Sequence, residues 1–214
     1  MANTKERILM AALELFAEEG YDAVGVDQIA EKVGIKGPSL YKHFKGKQHL
    51  FDSLVEEVTR QYEEHSIFSN MDWESYPLEK IPSTPEELME LIGPQVVFVT
   101  ESPVIRLVRR LLVIEQFRNE RIRGMEEKRS FQDIYDFLRG LLGKLVEKGI
   151  LMDEDLEAMT LIFMAPISME IYRVDRYPEK KDEAMAMIER HIEQFFRVYG
   201  RHVEVEGGKE NEGF

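Results

Sequence analysis

The sequence predicts an all-α protein, and three observations support this prediction. Apolar residues recur every three to four positions along most of the 214 residues, which is the spacing of a buried helix face. Helix start and stop signals follow one another, such as Thr84-Pro85 at a start and Gly149 at an end. No segment alternates apolar and polar residues as a half-buried strand does.

The first two helices are marked at both ends. Asn3 and Glu6 have the spacing of a capping box, and Gly20 can end the helix that they begin. A second, shorter helix is expected between Gly25 and Gly34. The apolar faces are formed by Ile8, Leu9, Ala12, Leu13 and Phe16 in the first helix and by Val26, Ile29, Ala30 and Val33 in the second.

A very short third helix is predicted over residues 38–44. Pro38 suits its first turn, and Leu40, Tyr41 and Phe44 can anchor it. Gly46 interrupts the pattern before a longer helix begins near Lys47 and runs to about residue 66. Helix, tight turn and short helix is the helix-turn-helix arrangement, so residues 1–47 are interpreted as a three-helix module that presents its third helix to a major groove.

Charge is distributed unevenly in this chain. Residues 1–50 carry as many basic as acidic side chains, so the net charge of -13 belongs to the remainder. No acidic residue lies between Glu31 and Asp52, a stretch that contains Lys32, Lys36, Lys42, Lys45 and Lys47. Lysines most often form a solvated face, but here they coincide with a helix-turn-helix pattern. Double-stranded DNA is therefore the expected partner.

Further helices are predicted after a polar, proline-containing link at residues 66–82. Thr84-Pro85 and Ser102-Pro103 mark two starts. Amphipathic patterns then cover residues 120–148, 154–175 and 181–199. Residues 48–200 are interpreted as one larger helical domain, and the tail at 201–214 is expected to be disordered.

The N-terminal segment resembles the TetR (tetracycline repressor-like) family of transcriptional regulators. The motifs that carry the resemblance are AALELFAEEGY, IAEKVGI, LYKHF and GKQHLF, which occur in this order and spacing within the first quarter of the chain. The resemblance implies a helix-turn-helix domain followed by a helical ligand-binding and dimerisation domain. It also implies a homodimer that binds a palindromic operator.

Six DNA-binding residues are implied by this resemblance. Base-edge or groove contacts are expected from Lys36, Ser39 and Lys42, and phosphate contacts from Tyr41, His43 and Lys47. Tyr41 could instead pack in the core, and His43 could be an ordinary surface histidine. The helix that begins at Lys47 belongs to both regions, so we expect it to transmit a signal between them.

The helix at 154–175 is apolar at nearly every phase, so it must be buried on more than one side. One side could face the core or a pocket and the other a second subunit, and Pro166 should kink it. Arg106, Arg109, Arg110 and Arg118 could supply a partner for a carboxylate inside such a cavity, but a surface position is expected for each. The candidate effector pocket consists of Phe163, Met164, Ile167 and Tyr172. The candidate dimer interface consists of Ile162, Met169, Ile188, Ile192, Phe195 and Phe196.

Composition argues against several kinds of site. The chain has no cysteine, which excludes disulfides, zinc-cysteine sites and thiol catalysis. Its five histidines show no HExxH spacing, and neither a phosphate-binding glycine loop nor a nucleophile elbow occurs. We expect no catalytic residue, metal or cofactor, and expect that the protein is not an enzyme. No apolar run could cross a bilayer, so no membrane contact and a cytoplasmic location are expected.

The leading hypothesis is a homodimeric transcriptional regulator, with repression the expected sign, that a small apolar effector releases from DNA. Two alternatives stay open. One is a DNA-binding architectural or interaction protein without a small-molecule effector. The other is an enzyme or carrier whose helical cavity performs the function while the N-terminal module only docks.

Overall fold

A computed structural model describes residues 3–65 and 71–201 of the chain. Within these ranges the protein is all-α, as predicted, and its one β-type contact is an isolated antiparallel bridge between Leu151 and Gly200. The helices are α1 (Thr4–Glu19), α2 (Val26–Val33), α3 (Gly37–Leu40), α4 (Lys47–His65), α5 (Pro85–Glu101), α6 (Pro103–Glu115), α7 (Glu120–Glu126), α8 (Asp133–Glu147), α9 (Leu156–Arg176) and α10 (Lys181–Tyr199).

The predicted capping signals are confirmed by hydrogen bonds. The Asn3 side chain accepts from the Glu6 N–H at 3.0 Å, and the Glu6 carboxylate accepts from the Asn3 N–H at 3.0 Å. Thr84 caps α5 and Ser102 caps α6 in the same way through their hydroxyl oxygens. Gly20 ends α1 with a φ of 85°, a backbone conformation that residues other than glycine rarely adopt.

Two segments differ from the sequence-based expectation. α3 is a single turn that ends at Leu40, because the amides of Lys42 and His43 bond three residues back and continue it only as a tighter turn. The 120–148 region is divided by a wider π-helical turn over Glu127–Gln132, which joins α7 to α8. A short 3₁₀ turn, Leu78–Lys80, lies within the predicted link.

The apolar interior consists of two clusters. The first is built by α1, α2 and α3 and is completed by Leu50 and Phe51 of α4 and by Leu111 and Leu112 of α6. The second is built by α5, α8, α9 and α10. The proposed boundary at residue 47 therefore coincides with the start of α4, but the N-terminal core continues beyond it.

The end of α10 is attached to the loop before α9. The Met152 N–H donates to Tyr199 O, and the Arg201 N–H donates to Ile150 O at 2.9 Å. Apart from Arg201, the tail predicted to be disordered lies outside the described residues, as does the first part of the predicted link. Among the helices of the two described ranges, none combines the length and apolar character needed to cross a bilayer.

Candidate nucleic-acid interface and effector cavity

The segment from Lys36 to His43 is held by its apolar side and exposes its polar side. Leu40 and Phe44 are almost fully buried in the first apolar cluster. Lys36, Lys42 and His43 are exposed, and Ser39 is half-buried. Anchoring by two large side chains fixes the direction in which the polar side chains point, which a groove-reading element requires.

Tyr41 is the exception among the predicted anchors. Its side chain is 56% exposed, so the alternative that Tyr41 packs in the core is wrong. The neighbouring anchors are buried because i, i+4 spacing places Leu40 and Phe44 on one face, while Tyr41 follows on another. Its side chain is therefore accessible to a partner.

Lys47 is placed differently from the exposed lysines. Its Nζ donates to the backbone oxygen of Asp22 at 3.3 Å and lies 4.3 Å from the ring centroid of Tyr21. The Tyr21 hydroxyl in turn donates to Gln48 Oε1 at 3.0 Å. The cation is thus held between the turn after α1 and the first turn of α4, where backbone amides also favour an anion.

Lys32 is exposed but is paired with an acid of α1. Its Nζ lies 2.9 Å from Glu14 Oε2, and this hydrogen bond raises the pKa of Lys32 above its ordinary value. Lys5, which the sequence cluster did not include, lies with its Nζ 6.0 Å from the Phe44 ring centroid. No local signal could have found Lys5, because Lys5 of α1 and Phe44 in the turn after α3 meet only through tertiary packing.

An apolar cavity of about 130 Å³ lies between α4, α5, α6, α8 and α9. Met164, Ile167 and Tyr172 line it, as the sequence predicted. Phe163 does not, because it is fully buried on the α10 side of α9, with its ring centroid 4.9 Å from that of Phe195. The remaining wall consists mainly of aliphatic side chains, including Val58, Ile92, Val96, Val99, Ile105, Val108, Leu112, Ile134, Leu138 and Ile171.

A wider cleft adjoins this cavity. It encloses about 450 Å³ beside α7, the π-helical turn and α9, and it shares Met164, Ser168 and Tyr172 with the cavity wall. Phe131 and Met169 lie on its outer side, and both are substantially exposed.

Two polar side chains stand out in the cavity wall. Gln95 is 6% exposed, and its Nε2 has no hydrogen-bond partner within the described residues. Arg109 was expected at the surface but is instead buried against Asp175, with contacts of 2.7 Å from Nε and 2.6 Å from a terminal nitrogen. The same terminal nitrogen donates to Val99 O at 2.7 Å.

α6 connects the cavity with the N-terminal module. Val108, Arg109 and Leu112 line the cavity, and Glu115 ends the helix. Glu115 is 3% exposed, and its Oε1 accepts from the Tyr21 N–H at 2.8 Å. A Cβ atom at the preceding Gly20 would lie 3.1 Å from the same oxygen. The sequence signal for this contact, an acid after the apolar run LLVI, was missed.

The predicted dimer residues divide into two groups. Ile188, Ile192 and Phe195 are buried in the second apolar cluster of the chain itself, so a partner cannot reach them, and these three assignments are withdrawn. Phe196 is half-buried. Ile162 and Met169 are 47% and 69% exposed. They belong to an exposed apolar surface of α9, hereafter the α9 stripe, formed by Ala158, Leu161, Ile162, Ala165, Pro166 and Met169.

Metal ligation has no candidate within residues 3–65 and 71–201, where no three His, Asp or Glu side chains converge. His191 instead lies in the packing of α10 against α9, with Nε2 3.0 Å from Phe163 O. The side chain is therefore placed by a structural hydrogen bond.

The N-terminal module is similar to parts of known regulatory proteins. Residues 8–54 match the family model described as bacterial regulatory proteins, tetR family. The tetracycline repressor protein class D of Escherichia coli is 36% identical over 73 residues, 34% of each chain. The transcriptional activator FasR of Mycolicibacterium smegmatis is 40% identical over 50 residues, 23% of each chain. The chain thus matches about a third or less of the length of these curated relatives.

Likeness to solved structures extends over almost the whole chain. SmeT, described as the repressor of the Stenotrophomonas maltophilia multidrug efflux pump SmeDEF, aligns with 95% of this chain and 93% of its own, with a TM-score of 0.59 and 19% identity. A complex of SmeT with triclosan aligns with 94% of this chain and 93% of its own, with a TM-score of 0.58 and 20% identity. At this level of identity the likeness shows a shared fold.

Proposed function

Since the first quarter of the chain belongs to the tetR family of bacterial regulatory proteins, as its motifs predicted, we propose that the protein is a sequence-specific transcriptional regulator. In this proposal a homodimer binds a palindromic operator and leaves it when a small apolar effector binds. The observation that carries it is the exposed polar side of the Lys36–His43 segment, held in place by buried Leu40 and Phe44.

The exposed side chains of this segment suit contacts with DNA. Lys36 and Lys42 add positive charge beside Tyr41 and His43, with Lys47 at the start of α4. Bases are read by side chains that enter the groove, so Lys36, Ser39 and Lys42 are assigned to base edges. Lys47 is held by Asp22 and Tyr21, and a cation fixed at a helix start suits a phosphate.

Dimerisation is proposed through the α9 stripe. Four of its six members are Leu161, Ile162, Pro166 and Met169, and a contiguous apolar surface of this kind is uncommon on a monomer. A second copy of the chain is the occupant that fits, because two identical modules are needed to read a palindrome. A two-fold axis along α9 would pair the stripe with itself.

The effector is proposed to act through α6 and α4. Both helices line the cavity, and both also belong to the N-terminal core. An effector that widens the cavity would displace α6, and the Glu115 contact would carry that displacement to the turn after α1. Moving a population from 1:99 to 99:1 requires about 5.5 kcal/mol of differential affinity, so the effector must bind the two arrangements very unequally.

Repression is the proposed sign of regulation. The class D tetracycline repressor and SmeT are both described as repressors, whereas FasR is described as an activator. A regulator that leaves DNA when its effector binds represses by occupying the operator. Transcription of a reporter gene with and without the operator measures the sign, and repression predicts less transcription when the operator is present.

The test is a footprint on the DNA that flanks the protein's own gene, repeated over a salt series. We expect a protected palindrome whose affinity falls steeply with salt, because phosphate contacts release counterions. Lys42→Ala should weaken protection, whereas Lys32→Ala should leave it unchanged, since Lys32 is paired with Glu14. No protection at low salt, or equal effects of both variants, would contradict the assignment.

A further inference from the structure

The cavity wall defines the chemistry of a ligand more narrowly than apolar character alone. We propose that the effector is an uncharged, largely apolar molecule with one hydrogen-bond acceptor. The acceptor accepts a hydrogen bond from the Nε2–H of Gln95, and the apolar part packs against the aliphatic wall. This inference rests on the proposed function only in treating the ligand as an effector, because the binding chemistry can be tested without DNA.

The size of the cavity suits one small ring or a short branched chain. Its volume of about 130 Å³ is comparable with an engineered cavity of about 150 Å³ that binds benzene. The wall is aliphatic on the sides formed by α5, α6 and α8, with Val96, Val108 and Leu138 as examples. An apolar ligand therefore gains by leaving water, while a strongly polar one loses its hydration without replacement.

Among the described residues, Trp73, Gln95 and Arg106 each have a buried side-chain nitrogen without a partner, and of these three only Gln95 lines the cavity. Its side chain is 94% buried, since 6% is exposed, and Nε2 has no partner within the described part of the chain. A buried donor without an acceptor destabilises the protein unless a ligand completes the bond. The wall also carries Ser168, Tyr172 and the paired Arg109, but most of it is aliphatic and therefore favours an apolar occupant over water, which needs two to four polar partners. An oxygen carried on an apolar ligand satisfies both requirements.

Arg109 excludes a carboxylate rather than attracting one. Its guanidinium is already bonded to both oxygens of Asp175 and to Val99 O, and the side chains of Arg109 and Asp175 are only 13% and 18% exposed. Arg106 Nε also lies 3.9 Å from Asp175 Oδ1, but Arg106 does not line the cavity. Within the cavity wall, an anionic ligand would have to break the Arg109–Asp175 pair or be buried without a counter-charge, and either change is unfavourable. The pair therefore selects for neutral ligands.

The test uses three probes of similar size: acetophenone, which is neutral and has a carbonyl acceptor, ethylbenzene, which has no acceptor, and benzoate, which is charged. Calorimetric titration measures their binding to the full chain and to Gln95→Met, a near-isosteric change. Gln194→Met, on the exposed side of α10, is the matched control.

We expect the full chain to prefer acetophenone over ethylbenzene and over benzoate. In Gln95→Met, acetophenone should bind about tenfold more weakly while ethylbenzene is unaffected or binds more tightly, because one hydrogen bond is lost and none is needed. Gln194→Met should behave as the full chain does. If Gln95→Met does not fold, Gln95→Leu is expected to give the same reversal.

Three outcomes would overturn the inference: tighter binding of benzoate than of acetophenone, an unchanged preference in Gln95→Met, or no binding of any probe. The footprint distinguishes this failure from that of the proposed function. If the operator is protected and an anionic compound releases it, the regulator stands and the ligand chemistry is wrong. If the neutral probes bind as expected but no DNA is protected, the cavity assignment stands and the regulator is wrong.

Discussion

The contact between Glu115 and the Tyr21 amide gives a prediction about coupling. Two substitutions at Glu115 remove its charge and keep its length: Glu115→Gln retains an oxygen acceptor, whereas Glu115→Met does not. The Tyr21 N–H donates to Glu115 Oε1 at 2.8 Å, and Glu115 is only 3% exposed, so water does not replace this hydrogen bond when it is lost. The difference between the two variants therefore reports the hydrogen bond and not the loss of a buried charge.

The magnitude follows from leaving one buried amide without an acceptor, which costs about 1–3 kcal/mol. For a chain of this length each kcal/mol changes the melting temperature by about 2–4 °C, so Glu115→Met should melt several degrees below Glu115→Gln. In Glu115→Met the effector should change operator affinity by a smaller factor than in Glu115→Gln. By reciprocity, the operator should change effector affinity by the same reduced factor.

The assay combines thermal unfolding at one protein concentration with operator titrations in the presence and absence of a releasing ligand. Glu90→Met, at an exposed position of α5, controls for the loss of an acid on a helix. Equal melting temperatures for Glu115→Gln and Glu115→Met, together with equal coupling factors, would refute the role of this contact. A lowered melting temperature with unchanged coupling would limit Glu115 to stability.

Three further predictions concern the other proposed sites. Lys47→Ala should weaken binding to every DNA sequence and reduce the salt slope by about 1, whereas Lys42→Ala should cost about 1–3 kcal/mol at one position of each half-site; binding to a panel of single-base operator variants over a salt series separates the two effects. Ile162→Asp should convert a dimer into monomers in sedimentation equilibrium, because the α9 stripe would bury a charge, and an unchanged mass would remove Ile162 from the interface. Gln95→Met should raise the melting temperature of the ligand-free protein by about 2–4 °C for each kcal/mol recovered, since a buried donor without a partner is removed, and a lower melting temperature would mean that Nε2 has an acceptor.

Many helix ends and the N-terminal module were predictable because their signals are local. The capping box of α1, the glycine that ends it and the caps of α5 and α6 depend on atoms within a few residues of one another. The family motif likewise lies in one continuous stretch. The exposure of Tyr41 was less accessible, because a phenol at an anchor position of a one-turn helix can face either way until its neighbours are packed.

The functional contacts of the C-terminal region could not be read from such signals. A helix that is apolar at every phase predicts burial on several sides but not which side faces a cavity, so Met164 and Ile167 were assigned correctly to the cavity wall and Phe163 was not. The same ambiguity placed Ile188 and Ile192 of α10 in a dimer interface, although both belong to the core of the chain itself.

By itself the sequence determined the helical class, most helix ends and the position of the short helix proposed to read DNA, because hydrogen bonds and apolar periodicity within each helix specify them. Only the tertiary structure decided which distant groups meet. Arg109 pairs with Asp175 across 66 positions, and Glu115 reaches the Tyr21 amide across 94. These contacts depend on how whole helices pack, and packing is settled by the combined shape and burial of many side chains, which no local pattern encodes.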